Sequence, residues 1–156
     1  MKATSPDNDW QRIWFSTRQQ NWQSLALIPS DPGVDVLRVA EALVAVGRLH
    51  GERPVNLLNA TSVKLENVHH SIESIGGMTA RGEWVIVPVD PVVENPSSVA
   101  IVRATSAALL VVRLGTSFLA SAQAAIDVIG RERFLGSVVL DGAGSGQSPV
   151  IDVTRP

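Results

Sequence analysis

The chain contains no cysteine and no tyrosine, and only two lysines, Lys2 and Lys64. The first absence excludes disulfides and thiolate metal sites. The second removes every phenolic hydroxyl as an acceptor of modification. The third leaves arginine to carry almost all the positive charge, and the formal net charge of −2 offers no general attraction for nucleic acid or acidic lipid. Long apolar runs are missing too: no stretch approaches the roughly 20 residues needed to cross a bilayer, and Met1 to Trp22 is too polar for a signal peptide. A soluble, cytoplasmic protein is expected, with no direct membrane insertion. At 156 residues the chain has the size of one domain, long enough to bury about 70% of the surface its unfolded form exposes.

What is present is an alternation of short β-branched runs with helical stretches, which predicts α/β architecture: a three-layer sandwich around a mainly parallel five-stranded sheet. Helices are expected at Asn8–Asn21, Val34–His50, Ser62–Ile75, Ser97–Ser106 and Ser117–Gly130, and strands at Ser24–Pro29, Pro54–Ala60, Glu83–Val87, Ala107–Val112 and Phe134–Leu140. Gly51 ends the second helix as a natural C′ residue, and Gly76-Gly77 is expected to end the third. Residues 1–141 form the domain, and the Gly/Ser/Pro-rich segment 142–156 reads as a flexible tail.

The turn Ser30-Asp31-Pro32-Gly33 between the first strand and second helix lies where a phosphate-binding loop would sit. Here the chain resembles the ATPase domains of bacterial tyrosine kinases for capsule and exopolysaccharide synthesis, within the MinD/ParA-like deviant-Walker group. Their loop reads P-G-E-G-K-T-T-x-A, against Pro32-Gly33-Val34-Asp35-Val36-Leu37-Arg38-Val39-Ala40. The frame is kept, but the second glycine is Asp35, the phosphate lysine Val36 and the magnesium threonine Leu37. The family's L-L-I-D-A-D ends here as Leu57-Leu58-Asn59-Ala60-Thr61, which neutralises both carboxylates. Its V-I-I-D-T-P-P becomes Val85-Ile86-Val87-Pro88-Val89-Asp90-Pro91, with proline at the aspartate. The stretch Ala107 to Leu140 matches the family's L-L-V-V-R-x-G and L-G-x-V-L-N pattern, with Asp141 for the asparagine.

The resemblance implies a P-loop-NTPase-like (Rossmann-like) fold with a degenerate nucleotide site at Gly33, Asp35, Val36, Leu37, Asn59, Thr61 and Pro88. A phosphate loop works through backbone N–H groups, a lysine and metal-bound oxygens acting together. Each charge-assisted contact is worth about 1.5–3 kcal/mol. Loss of the lysine, threonine and metal carboxylates removes on the order of 6–12 kcal/mol, against about 8 kcal/mol for a whole micromolar complex. No catalytic residue, cofactor or metal is therefore expected, and ATP hydrolysis and tyrosine kinase activity are predicted absent. The tyrosine-rich tail that such kinases autophosphorylate has no counterpart in Gly142 to Pro156.

The resulting expectation is a pseudo-ATPase or pseudokinase acting through protein contacts. The partner implied is a membrane polysaccharide chain-length or export component, holding the protein at the inner membrane's periphery, or a catalytic paralogue; self-association is open. Two alternatives stand beside it. One is a small-molecule-binding protein or residual enzyme using the crevice at the C-terminal strand ends, with Asp31, Asp35, Asn59, Asp90 and Glu94 as polar ligands. The other is a MinD/ParA-type positioning regulator, for which no basic patch or amphipathic C-terminal helix is visible.

Other constellations carry less. His69-His70 lies near Glu66 and Glu73 at helical spacing, but adjacent histidines diverge on a helix and surface residues are the expected outcome. Glu52-Arg53 and Arg131-Glu132-Arg133 read as solvated loop charges, and Ser145 lacks the strand–elbow–helix context of a nucleophile. Trp10, Trp14 and Trp22, three of the four tryptophans, precede the first strand. They either pack a helix onto the sheet or form an interface hot spot. In the family a helix carrying E-x-x-R-x-x-R joins neighbouring subunits; Asp9 and Arg12 match its first two positions conservatively, while Phe15 replaces the last arginine.

Overall fold

A computed structural model describes residues 6–115, 117–140 and 149–152, with side chains described for 8–115 and 117–140. The elements are α1 (Pro6–Arg18), β1 (Ser24–Pro29), α2 (Val36–His50), β2 (Val55–Leu57), α3 (Val68–Ala80), β3 (Trp84–Pro88), α4 (Pro96–Arg103), β4 (Ala107–Arg113), α5 (Leu119–Ile129), β5 (Phe134–Leu140) and β6 (Pro149–Asp152). One sheet runs in the order β2-β3-β1-β4-β5-β6. Its first five strands are parallel, and β6 pairs antiparallel with β5 from Ser137↔Asp152 to Leu140↔Pro149.

Alternation within the strands fills two cores. On β1, β3 and β4, Leu25, Leu27, Trp84, Ile86, Leu109 and Val111 face α1 and α2. Ala26, Ile28, Val85, Val87, Ala108 and Leu110 face α3, α4 and α5. Parallel crossovers are right-handed. The one step away from β5, from β1 to β2, therefore puts α2 on one face, and the steps back through β3, β4 and β5 put α3, α4 and α5 on the other. The expected three-layer α/β sandwich with five parallel strands is what the chain forms.

Three boundaries depart from the sequence reading. Gly76 and Gly77 do not stop α3, which runs on to Ala80. Neither takes a positive φ, and the stop comes at Gly82, with φ +77°. Two helix-interior glycines cost about 1 kcal/mol each relative to alanine, a cost met by the buried Ile75 and the packed Ile72 and Met78 on either side. The start of α3 also moves: Ser62 adopts φ +62° and a short 3₁₀ turn, Leu65–Asn67, precedes the helix. Finally, a sixth strand forms at Pro149–Asp152, within the stretch read as a tail without packed elements. The β-branched run Val150-Ile151 supplies the strand propensity, and Pro149 stands at its first residue, where a missing donor is tolerated. Ser145 and the other tail positions lie outside the described residues.

The tryptophans are core residues. Trp10, Trp14 and Trp22 are buried with Trp84, and Trp14 meets Trp22 and Trp84 edge-on, at centroid separations of 5.8 and 5.7 Å. The Trp22 indole N–H donates to the Thr17 carbonyl at 3.0 Å. The Arg18 guanidinium lies 3.9 Å over the Trp84 ring and donates to the Trp22 carbonyl at 2.8 Å. Packing of α1 and of the turn after it onto the sheet accounts for the burial of all three. What α1 exposes instead is Arg12 and the half-exposed Phe15, whose ring lies 4.6 Å from that of His50; Asp9 is buried.

Candidate functional site

Parallel sheets collect their loops at the C-terminal strand ends, and a crevice opens where successive crossovers take opposite faces. That point is β1, whose chain leaves toward α2 on one face while its neighbours β3 and β4 lead to helices on the other. A cleft of about 600 Å³ lies there. Its walls are the β1–α2 loop from Pro29 through Leu37, Thr61 beyond β2, and the β3–α4 loop from Val89 to Asn95.

The β1–α2 loop is held by its own side chains. Gly33 takes φ +90° with open space around it, the left-handed turn only glycine makes without strain. The Asp35 carboxylate caps α2, accepting from the Arg38 N–H at 3.1 Å. That donor is one of the free N–H groups through which a helix N-terminus binds phosphate. Val36 is buried in the core on the α2 side of the sheet and also lines the cleft, and Leu37 is half-buried on the cleft wall.

On its other flank the loop is tied to β4 and α5. The Ser30 N–H donates to the Val111 carbonyl at 2.9 Å, and the Ser30 hydroxyl donates to Asp31 at 2.8 Å and lies 3.0 Å from the Ser117 hydroxyl. Ser117 in turn accepts from the Arg113 N–H at 2.8 Å. Partial desolvation pushes the Asp31 carboxyl upward. The hydroxyls of Ser30, Ser121 and Ser117 and the Phe118 N–H outweigh it and hold the group below its ordinary value. Asp31 thereby sits at the N-terminus of α5, where a carboxylate meets the helix dipole favourably.

The remaining walls are likewise self-satisfied. Asn59 closes an Asx turn, accepting from the Thr61 N–H and hydroxyl at 3.0 and 2.6 Å. Asp90 accepts from the Ser62 N–H at 2.7 Å and from the Asn95 amide at 3.2 Å, joining the loops after β2 and β3. Asn95 also caps α4 through the Ser97 N–H at 3.0 Å. Pro88 is the last residue of β3, buried, and accepts from the Ala60 N–H at 2.9 Å. It lacks a donor where β2 has already ended.

Of the positions singled out from sequence, Gly33, Asp35, Val36, Leu37 and Thr61 converge on the cleft; Asn59 and Pro88 flank it without lining it. Asp31, Asp90 and Glu94 join them. Among the described residues lining the cleft, four are carboxylates and none is lysine, arginine or histidine. The arrangement offers no cationic group to a polyphosphate. The sequence reading missed the Ser30–Asp31–Ser117–Ser121 link, because Ser117 and Ser121 lie nearly ninety positions further along the chain. Spacing carries no signal for that contact.

Similarity to solved structures runs along this architecture. The kinase domain of the Escherichia coli tyrosine kinase ETK superposes with a TM-score of 0.68 over 91% of this chain and 76% of its own, at 13% identity. The BceF tyrosine kinase domain gives 0.67 over 86% and 75%, at 14% identity. The chimerical protein CapA2B2 gives 0.66 over 88% and 85%, at 11% identity. The fold is P-loop-NTPase-like. No family model matches the sequence, and no curated protein matches it.

The other sequence candidates sit apart from the cleft. His69 Nε2 pairs with Glu73 at 2.9 Å on the exposed face of α3, and no group of three metal-ligating side chains occurs among the described residues. Arg133, read as a solvated charge, donates to the Thr105 carbonyl at 3.1 Å and so braces β4. Among the described residues no helix is long and apolar enough to cross a membrane.

Proposed function

We propose that this chain is a non-catalytic relative of the bacterial tyrosine-kinase ATPase domains, a pseudo-ATPase that acts through protein contacts in polysaccharide assembly or export. The observation that carries the reading is the occupation of the α2 N-terminus by the Asp35 carboxylate, in a cleft whose described lining holds four carboxylates and no cation. A triphosphate approaching Gly33 would displace a satisfied cap and meet like charge instead of a lysine and a metal. Each such exchange forfeits about 1.5–3 kcal/mol of charge-assisted hydrogen bonding. The residues present do not fit a metal-bound nucleotide, and no phosphoryl-transfer step is derived through one. In this reading the protein works in the cytoplasm and reaches the inner membrane through a membrane-embedded chain-length or export component, or pairs with a catalytic paralogue.

Isothermal titration of the full chain with MgATP tests it directly. No heat of binding up to millimolar nucleotide is expected; a saturable micromolar isotherm overturns the reading. The cleft volume falls in the range of small-ligand sites, about 300–1,000 Å³, so an uncharged or cationic metabolite is the competing occupant. A thermal-shift screen distinguishes it, because a bound metabolite raises Tm with ligand excess.

A further inference from the structure

Beside the acidic cleft lies a second hollow of about 440 Å³, walled by the same Asp31, Pro32, Pro91 and Glu94 and continuing onto the start of α5. Here the surface changes character. Val93 and Phe118, which line it, are 55% and 71% exposed, and the adjoining Leu119 is 86% exposed. None of the three is needed by either core. Large apolar side chains grouped at the rim of a concavity mark interaction sites more often than isolated ones do. The two hollows share Asp31 and Glu94, so they present one continuous surface: carboxylates in the cleft and on the shared wall, aromatic and aliphatic groups beyond it toward α5.

Resting on the non-nucleotide reading above, we infer that this double hollow receives a segment of another protein that carries arginine or lysine next to apolar side chains. Charge complementarity fixes the occupant. The acidic half repels phosphate, nucleic acid and acidic lipid headgroups alike, but stabilises a guanidinium or ammonium. The apolar half rewards burial of an aliphatic or aromatic residue on the same segment. A free polyamine would satisfy only the first half. The rigid wall between them, Asp31-Pro32 against Pro91, sets the cationic and apolar groups of the segment side by side; Asp31 is anchored there by its contacts to Ser30, Ser117 and Ser121.

The test uses the full-length chain and a fluorescein-labelled twelve-residue peptide alternating arginine with leucine, monitored by anisotropy at several salt concentrations. Three variants accompany it: Glu94→Lys, Phe118→Ser and, in the turn before β5 at the opposite end of the sheet, Glu132→Lys; all three positions are exposed, and Tm confirms that each folds. Saturable binding is expected, weakened roughly tenfold by Glu94→Lys with a shallower salt dependence, weakened by Phe118→Ser without change in salt dependence, and unaltered by Glu132→Lys. Equal weakening by Glu132→Lys, or equal affinity of spermine, overturns the inference in favour of diffuse charge. Concentration-dependent self-association abolished by Glu94→Lys assigns the surface to a second copy of this chain and likewise overturns it. The two readings fail differently. Displacement of the peptide by MgATP refutes the pseudo-ATPase, whereas no peptide binding together with no MgATP heat refutes the docking surface alone.

Discussion

Adding one methyl group at Gly47 tests how α1 is fixed to the sheet. A Cβ there would lie 2.7 Å from Trp14 Cη2, 2.9 Å from Cζ3 and 3.0 Å from Cζ2, all atoms of the six-membered ring. Trp14 cannot retreat, being 3% exposed and held edge-on between Trp22 and Trp84. Alanine in place of a mid-helix glycine gains about 0.8–1 kcal/mol, while overpacking a closed core costs about 1–3 kcal/mol. The clash wins, and Gly47→Ala is expected to destabilise by about 1 kcal/mol, or about 2–4 °C in Tm for a chain of this size. Trp14→Phe deletes the ring that carries all three contacts and costs on the order of 2 kcal/mol through the cavity it leaves. In that background Gly47→Ala keeps its helical gain without the clash, so its sign reverses. A double-mutant cycle by urea unfolding, read by far-UV circular dichroism, should give a coupling of about 1.5–2 kcal/mol. An identical effect of Gly47→Ala in both backgrounds would refute the docking of α1 through this notch.

Two further substitutions probe the loop. Asp35→Ala should lower stability by about 1 kcal/mol through loss of the α2 cap, whereas Asp35→Asn keeps the acceptor and should cost only a few tenths; equal losses in urea unfolding would deny the cap. Asp31 ionises more readily folded than unfolded. Its contribution is therefore complete above the unfolded carboxyl value and lost as pH falls through the lower folded one, below about pH 4. Asp31→Asn should flatten that acid limb in a stability–pH series, and an unchanged limb would place the titration elsewhere.

The fold was legible because both periodicities were strong. Strands such as Leu25–Ile28 and Ala107–Val111 are apolar throughout, as double-sided burial in a parallel sheet requires, and Gly51 marked the end of α2 with its αL conformation. Legibility failed where local chemistry was ambiguous. Gly76-Gly77 reads as a stop in isolation, but Ile75 and Met78 around it continue a buried face that overrides propensity. The tryptophans read first as packing of the helix onto the sheet, with an interface as the alternative; burial is a property of the whole fold, and it is seen in the mutual packing of Trp14, Trp22 and Trp84. At the cleft, the residue types at positions 35–37 were visible in the sequence; the partners of Ser30 and Asp31 across the fold, Ser117 and Ser121, were not.

Holding the sheet together and lining the cleft fall largely to different atoms. The strands that hold the sheet together, β1, β3 and β4, are buried along their central residues, while the cleft is built from the loops beyond their C-terminal ends. Val36 stands at the boundary: it lines the cleft yet is 4% exposed, and its burial contributes about 1.5–3 kcal/mol. The loop around it is then ordered by Gly33's positive φ, the Asp35 cap and the Asp31–Ser117 link, with no contribution required from a bound anion. A loop ordered by its own contacts needs no ligand to hold the shape of the cleft. In the proposed reading its carboxylate lining suits cations, so a receptor for a basic segment needs no backbone beyond this α/β frame, only carboxylates at the strand ends.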